Sequence, residues 1–404
     1  NAWNSSFLPI YFRLRILKNK EHSNRFKEKL AITKIKRGNG RIIWFHATSV
    51  GEIKSIIPLI EKFLNLNNIN KILITTTTLS SAEIVKKKFN NKKIIHQFLP
   101  LDINHIVKKF LNFWNPELAI FVDSEIWPNF IYEIKKKKIK LILINGRITD
   151  KTFNKWIRFK SFAYKIFNAF DLCVVSNLKS KKYLKELGSK KIKYYGNLKF
   201  SNLKYDKKND NWFKDKNIWC AASTHKGEEI YCANVHLKLQ EKIKDLITII
   251  IPRHINRNKE IKNLLSKLNL KVKIIYNTSD IKRSNKNSIF LVNTFGDTEK
   301  YFKYSKSVFL GGSIIKHGGQ NPIEPAKLGC NIYHGPNIIN FHEVYNELKK
   351  YNISNRVNTS KQLFDHLLKD FQSKSKKNAK IKNNLNKYGQ NILNNVLKEI
   401  KNYI

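Results

Sequence analysis

The sequence predicts an α/β protein of two Rossmann-like domains facing a cleft, preceded by a membrane-associated helix. Two observations carry the domains. From residue 41 onward, short runs alternate with segments of helical periodicity, and the runs are apolar throughout. Strands covered on both faces of a parallel sheet have that character. The alternation stops at 201–213, a polar stretch rich in Lys, Asn and Asp, and restarts beyond it. A third observation separates the leading segment: over residues 1–37, cations are mixed with a short apolar run.

In that leading segment Ile10, Leu14 and Leu17 share one helical face, while Arg13, Lys18, Lys20, Arg25, Lys27 and Lys29 supply charge. Such a helix suits the interface of an anionic membrane. A helix packed on a domain with a solvated basic face has the same pattern. The run is too short and too charged to span a bilayer as it stands. No small-residue cleavage site follows it, which argues against a signal peptide. Residue 1 is Asn and methionine is absent, so the amino terminus is expected to be incomplete.

The first domain, 38–205, has strand-like runs at 41–47, 71–77, 94–99, 118–122, 140–144, 172–176 and 192–195. Helical patterns such as 53–64, 82–89, 130–137 and 179–187 lie between them. The second domain, 206–404, has runs at 217–222, 246–251, 271–276, 288–292, 307–311 and 330–333. Its helices are expected at 228–242, 259–268, 298–304, 323–328 and 343–350. A polar helical tail, 376–404, carries a stripe of Ile392, Leu393, Val396 and Ile400 and is assigned to this domain. Two such domains imply a cleft, a common place for a ligand.

Of the 404 residues 42% are hydrophobic, enough for two buried cores. Lys and Arg number 77 against 30 Asp and Glu, a net charge of +47. A polyanionic partner explains this, whether nucleic acid, an anionic membrane or a phosphorylated lipid. So does a coding bias that loads Lys and Asn onto ordinary helix surfaces. The cations form no single tail, and no nucleic-acid-binding signature accompanies them, so no nucleic acid is expected. Cys173, Cys220, Cys232 and Cys330 stand far apart without C-x-x-C spacing. They read as reduced core residues, with neither a disulfide framework nor a metal site.

Chemistry concentrates in two loops. In the first, the run ending at His46 is followed by Ala-Thr-Ser49-Val-Gly51-Glu52, a carboxylate at the mouth of the next helix. Open parallel sheets bind ligands there, off the carboxyl ends of their strands. Ser49-x-x-Glu52 also fits a capping box, in which Glu52 only caps back. The alternative is Glu52 as a base facing the cleft. The second loop, 311–321, holds four glycines in nine residues before Asn321-Pro322 opens a helix. Amides freed by glycine predict a phosphate-holding loop. Glu324 either completes a capping box with Asn321 or accepts from a ribose diol. Arg253 ends another run, and Ser223-Thr-His225-Lys226 a third, adding cations and hydroxyls. No G-x-G-x-x-G or Walker fingerprint occurs, so neither a dinucleotide nor an ATPase phosphate loop is indicated.

Several motifs occur in order: His46-Ala-Thr-Ser-Val-Gly-Glu52, Thr75-Thr-Thr-Thr78, Asp123-Ser-Glu-Ile-Trp-Pro-Asn129, Asn145-Gly-Arg147, Gly196-Asn-Leu-Lys-Phe200, Ser223-Thr-His225, Pro252-Arg-His254 and Gly311-Gly-Ser through His317-Gly-Gly-Gln-Asn-Pro-Ile-Glu324. Together they resemble the 3-deoxy-D-manno-octulosonic acid (Kdo) transferases over nearly the whole chain. The resemblance implies the GT-B fold, with the acceptor on the first domain and CMP-Kdo on the second. It implies that Glu52 is the catalytic base and that Asp123 and Lys199 stabilise the transition state. CMP contacts are then expected from Pro252 and Arg253, from Phe295, Gly296 and Asp297, and from Asn321, Pro322, Ile323 and Glu324. Asp123 and Asp297 stand where the family usually has glutamate, and Leu79-Ser80-Ser81 where it has Pro-Thr-Gly. Without the resemblance, Lys199 reads as a solvated lysine, and Asp123 either as a site residue or as a cap for the turn at Trp127.

The implied reaction is an inverting, metal-independent transfer of Kdo from CMP-Kdo to lipid A precursor (lipid IVA). It needs no cofactor and belongs at the anionic cytoplasmic face of the inner membrane. Two rivals are a GT-B enzyme using a UDP- or GDP-sugar and a basic nucleic-acid-binding protein.

Overall fold

Isoleucine, valine and aromatic side chains fit a pleated surface covered on both sides, and here they build two parallel sheets. The computed structural model describes residues 8–18, 20–201, 213, 216–282, 289–294, 296, 298–373 and 379–404. These fall into two compact units, Asn1–Asn202 with Lys387–Ile404, and Leu203–Asn386.

The first unit holds β1 (Ile42–His46), β2 (Lys71–Thr76), β3 (Ile94–Phe98), β4 (Leu118–Val122), β5 (Lys140–Gly146), β6 (Leu172–Val175) and β7 (Ile192–Tyr194). Their order across the sheet is β3-β2-β1-β4-β5-β6-β7. Each expected strand is present. β1 and β4 are central, and every residue of both is buried. Trp44 of β1 anchors the core, its ring 5.1 Å from Phe110, 5.2 Å from Phe121 and 5.5 Å from Phe130. After β3 the chain returns to lie beside β1, so strand order reverses between β1 and β4. That topological switch point opens a crevice at the carboxyl ends of these two strands.

The second unit holds β8 (Asn217–Thr224), β9 (Leu246–Pro252), β10 (Val272–Ile275), β11 (Ile289–Val292), β12 (Ser307–Leu310), β13 (Asn331–His334) and β14 (Ser354–Arg356). Their order is β10-β11-β9-β8-β12-β13-β14, with the switch point between β8 and β12. The strand β14 has no counterpart in the sequence reading. Its three polar residues pair with β13 through the backbone alone, at the sheet edge. Most of the expected linker, 202–212, lies outside the described residues.

The tail corrects the expected domain boundary. The helix Ala379–Lys401 has the predicted stripe, and Ile392, Leu393, Val396 and Ile400 are buried. From Lys387 onward, however, it belongs to the first unit. Tyr195 donates to Glu399 at 2.6 Å, Tyr403 donates to the Asp171 carbonyl at 3.2 Å, and Phe200 packs edge-on against Tyr388. An apolar stripe specifies a buried face but not which surface buries it.

Close approach at Gly389 seats this helix on the 3-10 turn Leu198–Ser201. A Cβ at Gly389 would stand 2.2 Å from the Phe200 carbonyl oxygen. Gly389→Ala is therefore expected to destabilise the first unit by about 1–3 kcal/mol through overpacking, although alanine favours a helix by ~1 kcal/mol. Thermal unfolding checks this: a melting temperature at or above wild type would contradict the seating.

No helix among the described residues is long and apolar enough to cross a membrane. The leading helix Leu8–Leu17 buries Phe12 and exposes Ile10, Leu14 and Leu17.

Candidate active site

The helix Val50–Leu64 starts directly after β1 because Ser49 is extended and caps it, accepting from the Glu52 amide at 3.3 Å. Glu52 caps back: its Oε1 accepts from the Ser49 hydroxyl at 2.7 Å and its Oε2 from the Thr48 amide at 2.8 Å. The reciprocal cap is present, with the Thr48 amide in place of the Ser49 amide, and the same carboxylate sits at the switch-point crevice. Burial raises its pKa, and the negative charges of Glu125 and Asp123 add to this, against the hydrogen bonds from Ser49 and Thr48. A carboxylate tuned upward in this way is suited to general-base work near neutral pH.

Asp123 and Lys199 come together. Lys199 Nζ lies 3.4 Å from Asp123 Oδ2, while Ser124 donates to Oδ1 at 3.0 Å. Asp123 has a φ of +63°, a left-handed conformation that few non-glycine residues hold. Lys199 is carried by the turn Leu198–Ser201, which packs against the helix Val50–Leu64. Asn145 fixes this turn by accepting from the Leu198 amide at 2.9 Å. The capping alternative for Asp123 does not hold. Asp102 caps the helix Pro128–Lys136 instead, accepting from the Asn129 and Phe130 amides at 3.2 Å and 2.9 Å.

Glu125 is the residue that sequence reasoning missed. It accepts from Thr48 Oγ1 at 2.6 Å, Trp127 Nε1 at 2.8 Å and His46 Nε2 at 3.1 Å. Burial pushes its carboxyl up, but the hydrogen bonds from His46, Thr48 and Trp127 outweigh this and hold it below the ordinary value. Both nitrogens of the His46 ring are engaged, Nδ1 with Thr75 and Nε2 with Glu125. Trp44 Nε1, a donor only, reaches Thr75 Oγ1 at 2.8 Å, and Thr75 Oγ1 lies 3.0 Å from His46 Nδ1. Nδ1 also lies 3.2 Å from the Thr75 carbonyl, so it meets both the hydroxyl and the carbonyl of Thr75, while Nε2 faces Glu125. Its sequence signal was the paired carboxylates of Asp123-Ser-Glu125.

In the second unit the expected donor residues lie at the carboxyl edge of the sheet. Pro252 ends β9 and Arg253 follows it, exposed. Gly296, with φ +101°, follows β11, and Thr298 beyond it donates to Glu324 Oε2 at 3.2 Å. This bond joins the loop after β11 to the helix Ile323–Lys327. Asn321 Oδ1 accepts from the Ile323 amide at 3.2 Å, and the helix begins at Ile323 with Pro322, in place of the expected Asn321, as its cap. Phe295 and Asp297 lie outside the described residues. Lys327 was not anticipated. It is buried, and burial draws its pKa down to about 7 against the opposing pull of Glu299 and Glu324.

The phosphate-holding loop needs correction. Three consecutive amides after β12 are already taken, by Glu228. Gly312 donates to it at 2.7 Å, Ser313 at 3.1 Å and Ile314 at 3.0 Å. An amide bound to a buried internal carboxylate is not open to a ligand phosphate. The glycine pair instead allows close packing: a Cβ at Gly311 would stand 2.6 Å from the Ser223 carbonyl and 2.7 Å from Glu228 Oε2.

Comparison with known proteins agrees with this architecture. The profile of the family described as 3-Deoxy-D-manno-octulosonic-acid transferase (kdotransferase) matches residues 24–202. The 3-deoxy-D-manno-octulosonic acid transferase of Rickettsia bellii is 33% identical over 346 residues, covering 82% of this chain and 80% of that one. Its counterpart in Haemophilus influenzae is 30% identical over 316 residues, covering 76% and 73%. Among solved structures, the UDP-GlcNAc 2-epimerase of Neisseria meningitidis bound to UDP-GlcNAc matches with a TM-score of 0.58 at 13% identity, over 90% of this chain and 99% of that one. A glycosyltransferase of Rickettsia africae matches with a TM-score of 0.55 at 13% identity, over 91% and 98%. Those two likenesses establish two parallel-sheet α/β domains of the GT-B kind. The sequence relatives establish more: this chain is a glycosyltransferase and belongs to the 3-deoxy-D-manno-octulosonic acid transferase family.

Proposed function

We propose that this enzyme transfers Kdo from CMP-Kdo to a hydroxyl of a lipid A precursor, with inversion and without a metal ion or cofactor. The observation that carries the reading is the placement of Glu52, raised in pKa, beside the Asp123–Lys199 pair at the switch point of the first sheet. Inversion requires one base that takes the proton of the attacking hydroxyl as the sugar–phosphate bond breaks. Glu52 is that base, and Thr48 and Ser49 hold its oxygens in a fixed orientation. Lys199, oriented by Asp123, supplies fixed positive charge for the developing oxyanions. In the second unit, Pro252, Arg253, Gly296 and the Asn321 to Glu324 turn bind CMP, with Arg253 neutralising charge on the departing phosphate.

Exposed Ile10, Leu14 and Leu17 with Arg13 and Lys18 suit an anionic membrane surface. This reading puts the enzyme at the cytoplasmic face of the inner membrane, where a lipid acceptor would be reached. Incubation with CMP-Kdo and a tetraacylated, phosphorylated glucosamine disaccharide should give product heavier by Kdo. Turnover with a UDP- or GDP-sugar instead, or displacement of CMP by UDP or GDP, would overturn the donor assignment.

A pH effect follows from the carboxylate cluster. The base works deprotonated, so kcat/KM falls as pH drops through the raised pKa of Glu52. Glu125→Gln removes a negative charge that raises this pKa, so the acid limb of the profile should move to lower pH. An acid limb in the same place would show that another group controls it.

A further inference from the structure

Glu228 opens the helix Glu228–Gln240 and is 1% exposed. Besides the three amides after β12, it accepts from the His225 amide at 3.0 Å. One carboxylate therefore ties the loop after β8 to the loop after β12 at the switch point of the second sheet. Three amides of this glycine loop thus hold the protein's own carboxylate. At these three amides, groups for a ligand would have to come from what stands over the clamp.

Imidazole stands there. The His225 ring centroid is 4.2 Å from that of His317 and 6.0 Å from that of His254. His225 is 8% exposed, and its Nε2 is buried without a hydrogen-bond partner among the described residues. The ring lies over Gly312, where a Cβ would come within 3.4 Å of His225 Cδ2 and 3.3 Å of His317 Cδ2. A buried ring nitrogen left unpaired is costly, and a ligand oxygen would satisfy it. His317 is exposed, so it is the side chain that can yield to a ligand.

We propose that His225, positioned by Glu228, donates through Nε2 to a phosphate oxygen of the donor nucleotide. The inference rests on the nucleotide-sugar donor assigned above. Burial, His317, His254 and Arg253 hold the imidazole pKa below its ordinary value, against Glu228. These influences favour the neutral ring, and one N–H at Nε2 suffices for the bond.

Calorimetry with the full chain tests this, using CMP and cytidine, which differ only by the phosphate. His225→Phe keeps a flat ring without a donor and should weaken CMP binding about tenfold or more, the scale of one hydrogen bond to a charged group, with cytidine affinity unchanged. His225→Gln carries an amide N–H near the place of Nε2 and should recover most of the loss. Equal weakening of CMP and cytidine would assign His225 a structural role only, and unchanged CMP binding would remove it from the site. Either result overturns the proposal. Should wild type prefer UMP or GMP, the CMP-Kdo assignment fails separately, and the same variants read with that nucleotide and its nucleoside still decide the role of His225.

Discussion

Glu52→Gln is expected to lower kcat about 10²–10⁴-fold while the protein keeps nearly all its stability. Glutamine cannot take a proton from the attacking hydroxyl, but it can still cap the helix Val50–Leu64. The variant thus separates the two jobs this one side chain holds. Glu52→Ala removes both, so it should lose turnover and, in addition, about 1 kcal/mol of stability with the cap. Turnover measured beside thermal unfolding distinguishes them. Near-wild-type turnover of Glu52→Gln would sink the base assignment and leave Glu52 as a cap.

Glu228→Leu should be the most damaging substitution in the second unit. It strands four donors, the buried amides of His225, Gly312 and Ser313 and the half-buried amide of Ile314. At about 1–3 kcal/mol for each unsatisfied group, the sum approaches the 5–15 kcal/mol that holds a whole domain folded. The second unit should then unfold at far lower denaturant than the first. Glu228→Gln keeps one acceptor oxygen but turns an NH2 toward amide donors, so an intermediate loss of several kcal/mol is expected. Denaturation of Glu228→Gln within about 0.5 kcal/mol of wild type, the range of an ordinary surface change, would show that the clamp contributes little.

Both predictions turn on loops that were only half legible. The 310–324 stretch announced a special backbone by its glycines, and that was correct. Which anion its amides hold was not legible, because Glu228 lies 84 residues before Gly312 and reaches it only through the adjacency of β8 and β12. Glu228 itself looked like an ordinary acidic residue at a helix start, where the helix dipole favours it. Likewise Asp123 and Lys199 stand 76 residues apart. Family resemblance named them together, and no local pattern did. In Asp123-Ser-Glu125 a loop without periodicity cannot indicate which carboxylate reaches His46.

The sequence by itself determined every strand but β14, the main helices, the Ser49–Glu52 cap and the existence of an apolar stripe at 392–400. Those depend on forces acting over a few residues: burial periodicity, capping and turn chemistry. Tertiary structure alone decided what each feature meets. The stripe was buried by the first unit, three glycine-loop amides were taken by Glu228, and Glu52 was raised in pKa by burial, with Glu125 and Asp123 adding to it. In each case the partner is distant in the chain, and its arrival depends on the order in which parallel strands are laid beside one another.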